Sequence, residues 1–179
     1  MRLLLLIVLL FGTVGCVYSI KTTTTPLFSD NINQQLISLA SSYAGLKEKE
    51  NRAELKKLMN VDPVRTEWCA AFVNAILKKA GVEQSGTVHN DPLLARSFLL
   101  WGRTISRHNI QPGDIVVFPR GTAGWQGHVG IFHRSEKRNG KTVWVILGGN
   151  QGDRVSYMYF RPNYAIGIRR AFGYKKSNS

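Results

Sequence analysis

Apolar residues are spaced in two different ways along the chain, and the change falls near Gly102. Before it they return every three or four positions, the period of a helix with one buried face. Ile32, Leu36, Leu39, Ala40 and Tyr43 form the first such stripe, which starts at Asn31, and Gly45 interrupts it. A more charged helical stretch runs from about Glu50 to Met59 and is closed by Asp62 and Pro63. In "TEWCAAFVNAILKKAG", residues 66–81, the period puts Cys69, Phe72, Val73, Ile76, Leu77 and Ala80 on one face. Thr66 suits the N-cap of that helix and Gly81 its stop. "NDPLLARSFLLWG" predicts a short fourth helix, with Asp91 as cap, Pro92 in the first turn and Gly102 beyond the end.

After Gly102 the apolar residues come in short runs rich in Val, Ile and Phe. "GDIVVF", "HVGIFH" and "TVWVIL" predict strands, and "DRVSYMYF" and "AIGIRRAF" predict two more. Helices followed by strands predict an α+β fold, N-terminal helices packed on an antiparallel sheet. Asn139–Gly140 is a strong two-residue hairpin signal. If those residues form the loop, His128 faces Gln151 and Val129 faces Asn150, or one position away where a bulge intervenes.

The first residues belong to another category. "MRLLLLIVLLFGTVGC" has one positive charge, an apolar run from Leu3 to Phe11 and then small residues, the layout of a secretory signal peptide. The run is short for a membrane span. Two processing routes fit: "TVGC" resembles a lipobox that would lipidate Cys16, leaving a leader of 1–15, and cleavage after Ser19 would give a leader of 1–19. Residues 20–30, Thr-rich and broken by Pro26, suggest a linker. The expected organisation is therefore leader, linker 20–30, a folded domain over 31–172 and a basic tail 173–179. The location expected is outside the cytoplasm: periplasm or envelope, lipid-anchored or secreted.

Charge narrows the partners. Lys and Arg number 24 and Asp and Glu 11, a formal charge of +13 in 179 residues. That balance favours anionic polymers and surfaces. No short block matches a nucleic-acid-binding fingerprint, so nucleic acid is not an expected partner; a monomer is.

Cysteine raises the question of chemistry. With Cys16 removed or lipidated, Cys69 has no partner in the chain. It is either a small apolar residue on a helix face or a nucleophile. In the first turn of its helix, unpaired amides and the helix dipole favour a thiolate. Glu67 opposes this unless it turns to solvent or to a basic neighbour. A thiol nucleophile works with an imidazole that takes its proton. His89 and His108 lie in polar connections. His128 and His133, five apart on one strand, face opposite ways and do not suit a joint metal site. His128, between Gly127 and Gly130, has room around its ring. Asn150 or Gln151 then stands within reach of its far nitrogen.

"EWCAAFVNAILKKAG", "PGDIVVF", "GHVGIF" and "VILGGNQGDRVSY" resemble the motifs of the NlpC/P60 and CHAP superfamily of peptidoglycan-cleaving cysteine hydrolases. The resemblance runs from about Asp30 to Ala171. It implies a papain-like fold, with Cys69 as nucleophile, His128 as general base and acid, and Asn150 as the polar residue that orients the histidine, with Gln151 as runner-up. CHAP domains often carry Glu two positions before that Asn, and here the position is Gly148. Trp125 and Gln151 are candidates for substrate contact, while Trp68 and Trp101 suit the core. The implied activity is cleavage of amide bonds in peptidoglycan, in the peptide stem or at the sugar–peptide link, through a thioacyl intermediate and with no metal or cofactor. Two other readings stay open, a non-catalytic envelope-binding module and an acyltransferase on the same fold.

Overall fold

The computed structural model describes residues 28–172. The leader with Cys16, residues 20–27 of the linker and the tail 173–179 lie outside the described residues. Three α-helices come first: α1 (Phe28–Ser41), α2 (Arg52–Met59) and α3 (Cys69–Lys79). The strands follow: β1 (Arg103–Thr104), β2 (Ile115–Pro119), β3 (Gly127–Arg138), β4 (Lys141–Gly148), β5 (Ser156–Phe160) and β6 (Gly167–Arg170). They form one antiparallel sheet in the order β1-β6-β2-β3-β4-β5. The expected α+β architecture is present, and the two-residue β1 is an addition that the apolar pattern does not signal.

The sheet has a core on each side, which explains its sequence. Ile115, Val117, Val129, Ile131 and Leu147 face the helices and join Leu36, Phe72, Ile76 and Leu77 in the larger cluster. Val116, Phe118, Phe132, Trp144, Ile146 and Ile168 form a second cluster on the other face. A strand buried on both faces loses its polar alternation, so β2 reads "IVVF" without a break. Each such side chain contributes roughly 1.5–3 kcal/mol by leaving water.

Three expected boundaries move. α1 starts at Phe28, inside the stretch assigned to the linker. α3 starts at Cys69 with Trp68 at the N-cap, and Thr66 is extended rather than capping. The reason lies upstream: the Asp62 carboxylate accepts the Val64 amide and opens a 3-10 turn over Pro63–Arg65, which delivers Thr66 in β geometry. The fourth α-helix is replaced by a 3-10 helix, Ala95–Leu99. Asp91 accepts the Leu93 amide at 2.9 Å, a local turn that competes with a helical start. Bonds to opposite sides then hold the segment: Ser97 Oγ donates to Ser85 Oγ and Arg96 Nε to the Gln126 carbonyl.

Two features fix the sheet on the helices. Asp114, fully buried, accepts Nε and Nη2 of Arg170 at 2.7 and 2.8 Å and Nδ2 of Asn33 at 3.1 Å. That cluster joins α1, the start of β2 and the end of β6. The β3–β4 hairpin turns at Asn139 and Gly140, with φ of 49° and 72°, as a primed turn requires. Its register follows the two-residue loop from Arg138↔Lys141 to Arg134↔Val145, then shifts by one at a bulge, giving Phe132↔Ile146 and Ile131↔Leu147.

Candidate active site

Cys69 is the first residue of α3, and the Trp68 carbonyl just before it accepts the first helical bond, from the Phe72 amide. The thiol is buried, at 3% exposure. Burial pushes its pKa above the ordinary thiol value. The amides of Val129 and Ala70 and the charge of Arg120 favour the thiolate but do not outweigh burial, and Glu67 adds to the rise. The Val129 amide follows His128 directly in the chain.

His128 is the second residue of β3, opposite Phe118 on β2. Its ring stacks on Phe160 at 5.7 Å and 13°, and Phe160 stacks on Phe118 at 4.2 Å. The imidazole is 6% exposed. Burial lowers its pKa to about 4; the hydrogen bond to Gln151 opposes this and the Arg120 charge adds to it.

Nε2 of His128 lies 3.1 Å from Oε1 of Gln151. The amide nitrogen of Gln151 donates to the Ile146 and Ser156 carbonyls. Two carbonyls fix which end of the amide carries hydrogen, so the oxygen faces the ring and Nε2 must be the protonated nitrogen. The neutral imidazole is thereby held with Nδ1 as its basic atom.

The side chain hydrogen-bonded to the ring is thus that of Gln151, the second candidate, while the Asn150 amide bonds to Glu67. β4 stops at Gly148, and Asn150 turns left-handed, with φ of 56°. This turn sends the Asn150 side chain outward, where Nδ2 donates to Oε2 of Glu67 at 2.7 Å. The Gln151 side chain is buried, at 4% exposure. Gly148 makes the exchange possible. A Cβ there would stand 3.2 Å from the Gln151 amide carbon. The space that a side chain at 148 would take is filled from position 151 instead.

A cleft of about 350 Å³ opens beside the sulfur, lined by Glu67, Cys69, Leu94, Arg120, Trp125 and Gly127 among others. Trp125 is 65% exposed, in the loop between β2 and β3. That loop is pinned: Oε1 of Gln126 accepts the Ala123 amide, and its carbonyl accepts Arg96. Trp68 and Trp101 are buried and donate to Glu48 and to the Glu83 carbonyl. Nδ1 of His89 accepts the Asp91 amide, and the ring of His133 packs on Tyr157, both away from the cleft. Sequence reasoning missed Arg120. The available signal was Glu67, which two residues before the candidate nucleophile calls for a cationic partner; Arg120 Nη1 supplies it at 3.3 Å.

A thiol at a helix start, packed on a sheet that carries an amide-steadied imidazole, is a papain-like arrangement. The CHAP domain pattern matches residues 61–150, half of the chain, and the chain belongs to that family. Among solved structures it is similar to a mutated form of the Resuscitation Promoting Factor Interacting protein RipA, with 14% identity and a TM-score of 0.51. The match covers 80% of this chain and 64% of that one, and at such identity the likeness is one of fold. No curated protein matches the chain.

Proposed function

We propose that this protein is an exported, cysteine-dependent hydrolase of peptidoglycan amide bonds. The observation that carries the reading is the fixed tautomer of His128. With Nε2 held by Gln151, Nδ1 is the basic nitrogen left to take the thiol proton, and the next amide in the chain, that of Val129, favours the Cys69 thiolate. CHAP membership supplies the substrate class, and the raised thiol and lowered imidazole pKa values agree with a neutral resting pair.

The reaction follows from these parts. Sγ of Cys69 attacks the amide carbonyl as its proton passes to Nδ1 of His128. The Cys69 amide, at the helix start, points toward the developing oxyanion. The imidazolium then protonates the departing amine, leaving a thioacyl-enzyme. Water, deprotonated by His128, releases the acid and restores the thiol. Outside the cytoplasm the wall is within reach, by secretion or by a lipid on Cys16, and the net positive charge aids retention on anionic surfaces.

Digestion of purified wall by the native protein and by Cys69→Ala tests this. New amino and carboxyl termini, identified by mass spectrometry, are expected with the native protein alone. Equal digestion by Cys69→Ala sinks the hydrolase reading. Transfer to an added amine, in place of hydrolysis, would make the enzyme an acyltransferase.

A further inference from the structure

We propose that Arg120 forms a subsite for a carboxylate of the substrate close to the scissile bond, so that the enzyme prefers peptide stems with a free acid there over the same stems with that acid amidated. This rests on the hydrolase reading above and adds the chemical form of the substrate.

Among the described residues lining the cleft, Arg120 is the one cation and Glu67 the one anion. Arg120 follows Pro119, the last residue of β2, which pairs with Gly127 immediately before His128. The guanidinium is thus set by the same strand pair that sets the general base. Its charge is felt by both the thiol and the imidazole, which places it within electrostatic reach of the reacting atoms.

The group is available to a ligand. Its ion pair with Glu67 runs through Nη1 at 3.3 Å, with the two side chains 48% and 78% exposed. An exposed pair of that kind is weak. The same Oε2 of Glu67 also accepts from Asn150 at the shorter distance of 2.7 Å. An incoming carboxylate can therefore take over the guanidinium while Glu67 keeps a partner. Arg presents a planar fork that matches a carboxylate with two parallel bonds. An amide in that place offers one acceptor and two unmatched hydrogens.

The experiment uses paired synthetic stem peptides that differ only in a free carboxylate or a carboxamide next to the cleaved amide. Binding to full-length Cys69→Ala protein is measured by calorimetry, and kcat/KM with the native protein. The acid is expected to bind and react about tenfold better, with the preference shrinking as salt rises. Arg120→Gln should bring the ratio close to one by weakening the acid alone, while Arg120→Lys keeps part of it. Unfolding midpoints confirm that both variants are folded. Equal handling of acid and amide by the native protein, or an unchanged ratio in Arg120→Gln, overturns the proposal. Failure to cleave either peptide counts against the hydrolase reading, and the calorimetry on Cys69→Ala still decides the subsite.

Discussion

Oε1 of Gln151 and Nε2 of His128 lie 3.1 Å apart, both buried, and the glutamine amide is itself held by two main-chain carbonyls. An uncharged partner selects the tautomer without adding charge to a site that burial already keeps neutral. Gln151→Ala is therefore expected to lower kcat by roughly 10- to 1000-fold, within the loss that a wrong tautomer brings, with a smaller effect on KM. Asn150→Ala should cost far less. Steady-state kinetics on wall fragments compares them; a larger loss from Asn150→Ala would return the orienting role to that residue.

Gly148→Ala probes the same contact from the other side. The added methyl would press on the Gln151 amide at 3.2–3.3 Å. Activity should fall while the unfolding midpoint moves little, and measuring both separates displacement of Gln151 from general loss of fold.

Acid should weaken the fold through His128. Its folded pKa is about 4, against an ordinary value of 6.5. The unfolded chain thus binds the extra proton between those values. Stability is full above pH 6.5 and declines as pH falls toward 4, by on the order of 3 kcal/mol for a shift of this size. Urea unfolding across that range should show a shallower pH slope for His128→Ala than for the native protein. Identical slopes would mean that the buried ring contributes nothing to acid sensitivity.

The resting thiol should be sluggish. Burial raises the Cys69 pKa, so little thiolate exists at neutral pH. Alkylation by iodoacetamide should be slow at pH 7 and keep rising through pH 9 without a plateau. A rate already level at pH 7 would point to a preformed thiolate.

Asp114 should be the most sensitive position outside the cleft. It is fully buried and takes two bonds from Arg170 and one from Asn33. Asp114→Ala breaks the buried ion pair with Arg170, a loss of roughly 3–5 kcal/mol. Denaturant unfolding measures it, and Asp62→Ala, which breaks an exposed pair with Arg52, should cost much less.

Much of this was legible in the residues. Helical spacing located α1, α2 and α3, and the Val/Ile runs located β2, β3 and β4, because each of these elements buries one face or both. The hairpin arithmetic brought positions 150 and 151 to His128 because the Asn139–Gly140 turn is set locally. What stayed hidden depends on contacts between distant segments. Asn150 and Gln151 are adjacent, and one left-handed residue, joined to Glu67, decides which of them turns inward. The segment after Asp91 has the marks of an α-helix, yet bonds to Ser85 and Gln126 hold it as a 3-10 helix. Arg120 carries no motif; its place follows from the loop between β2 and β3.

The bulge between Phe132 and Arg134 divides the long hairpin into two parts. The inner part carries the ring of His128, and the outer part ends in an exposed tip at Asn139 and Gly140. A change of length at the tip can be absorbed at that joint before it reaches the reacting groups. The tip is thus a place to graft a targeting peptide or a fluorophore away from the candidate site.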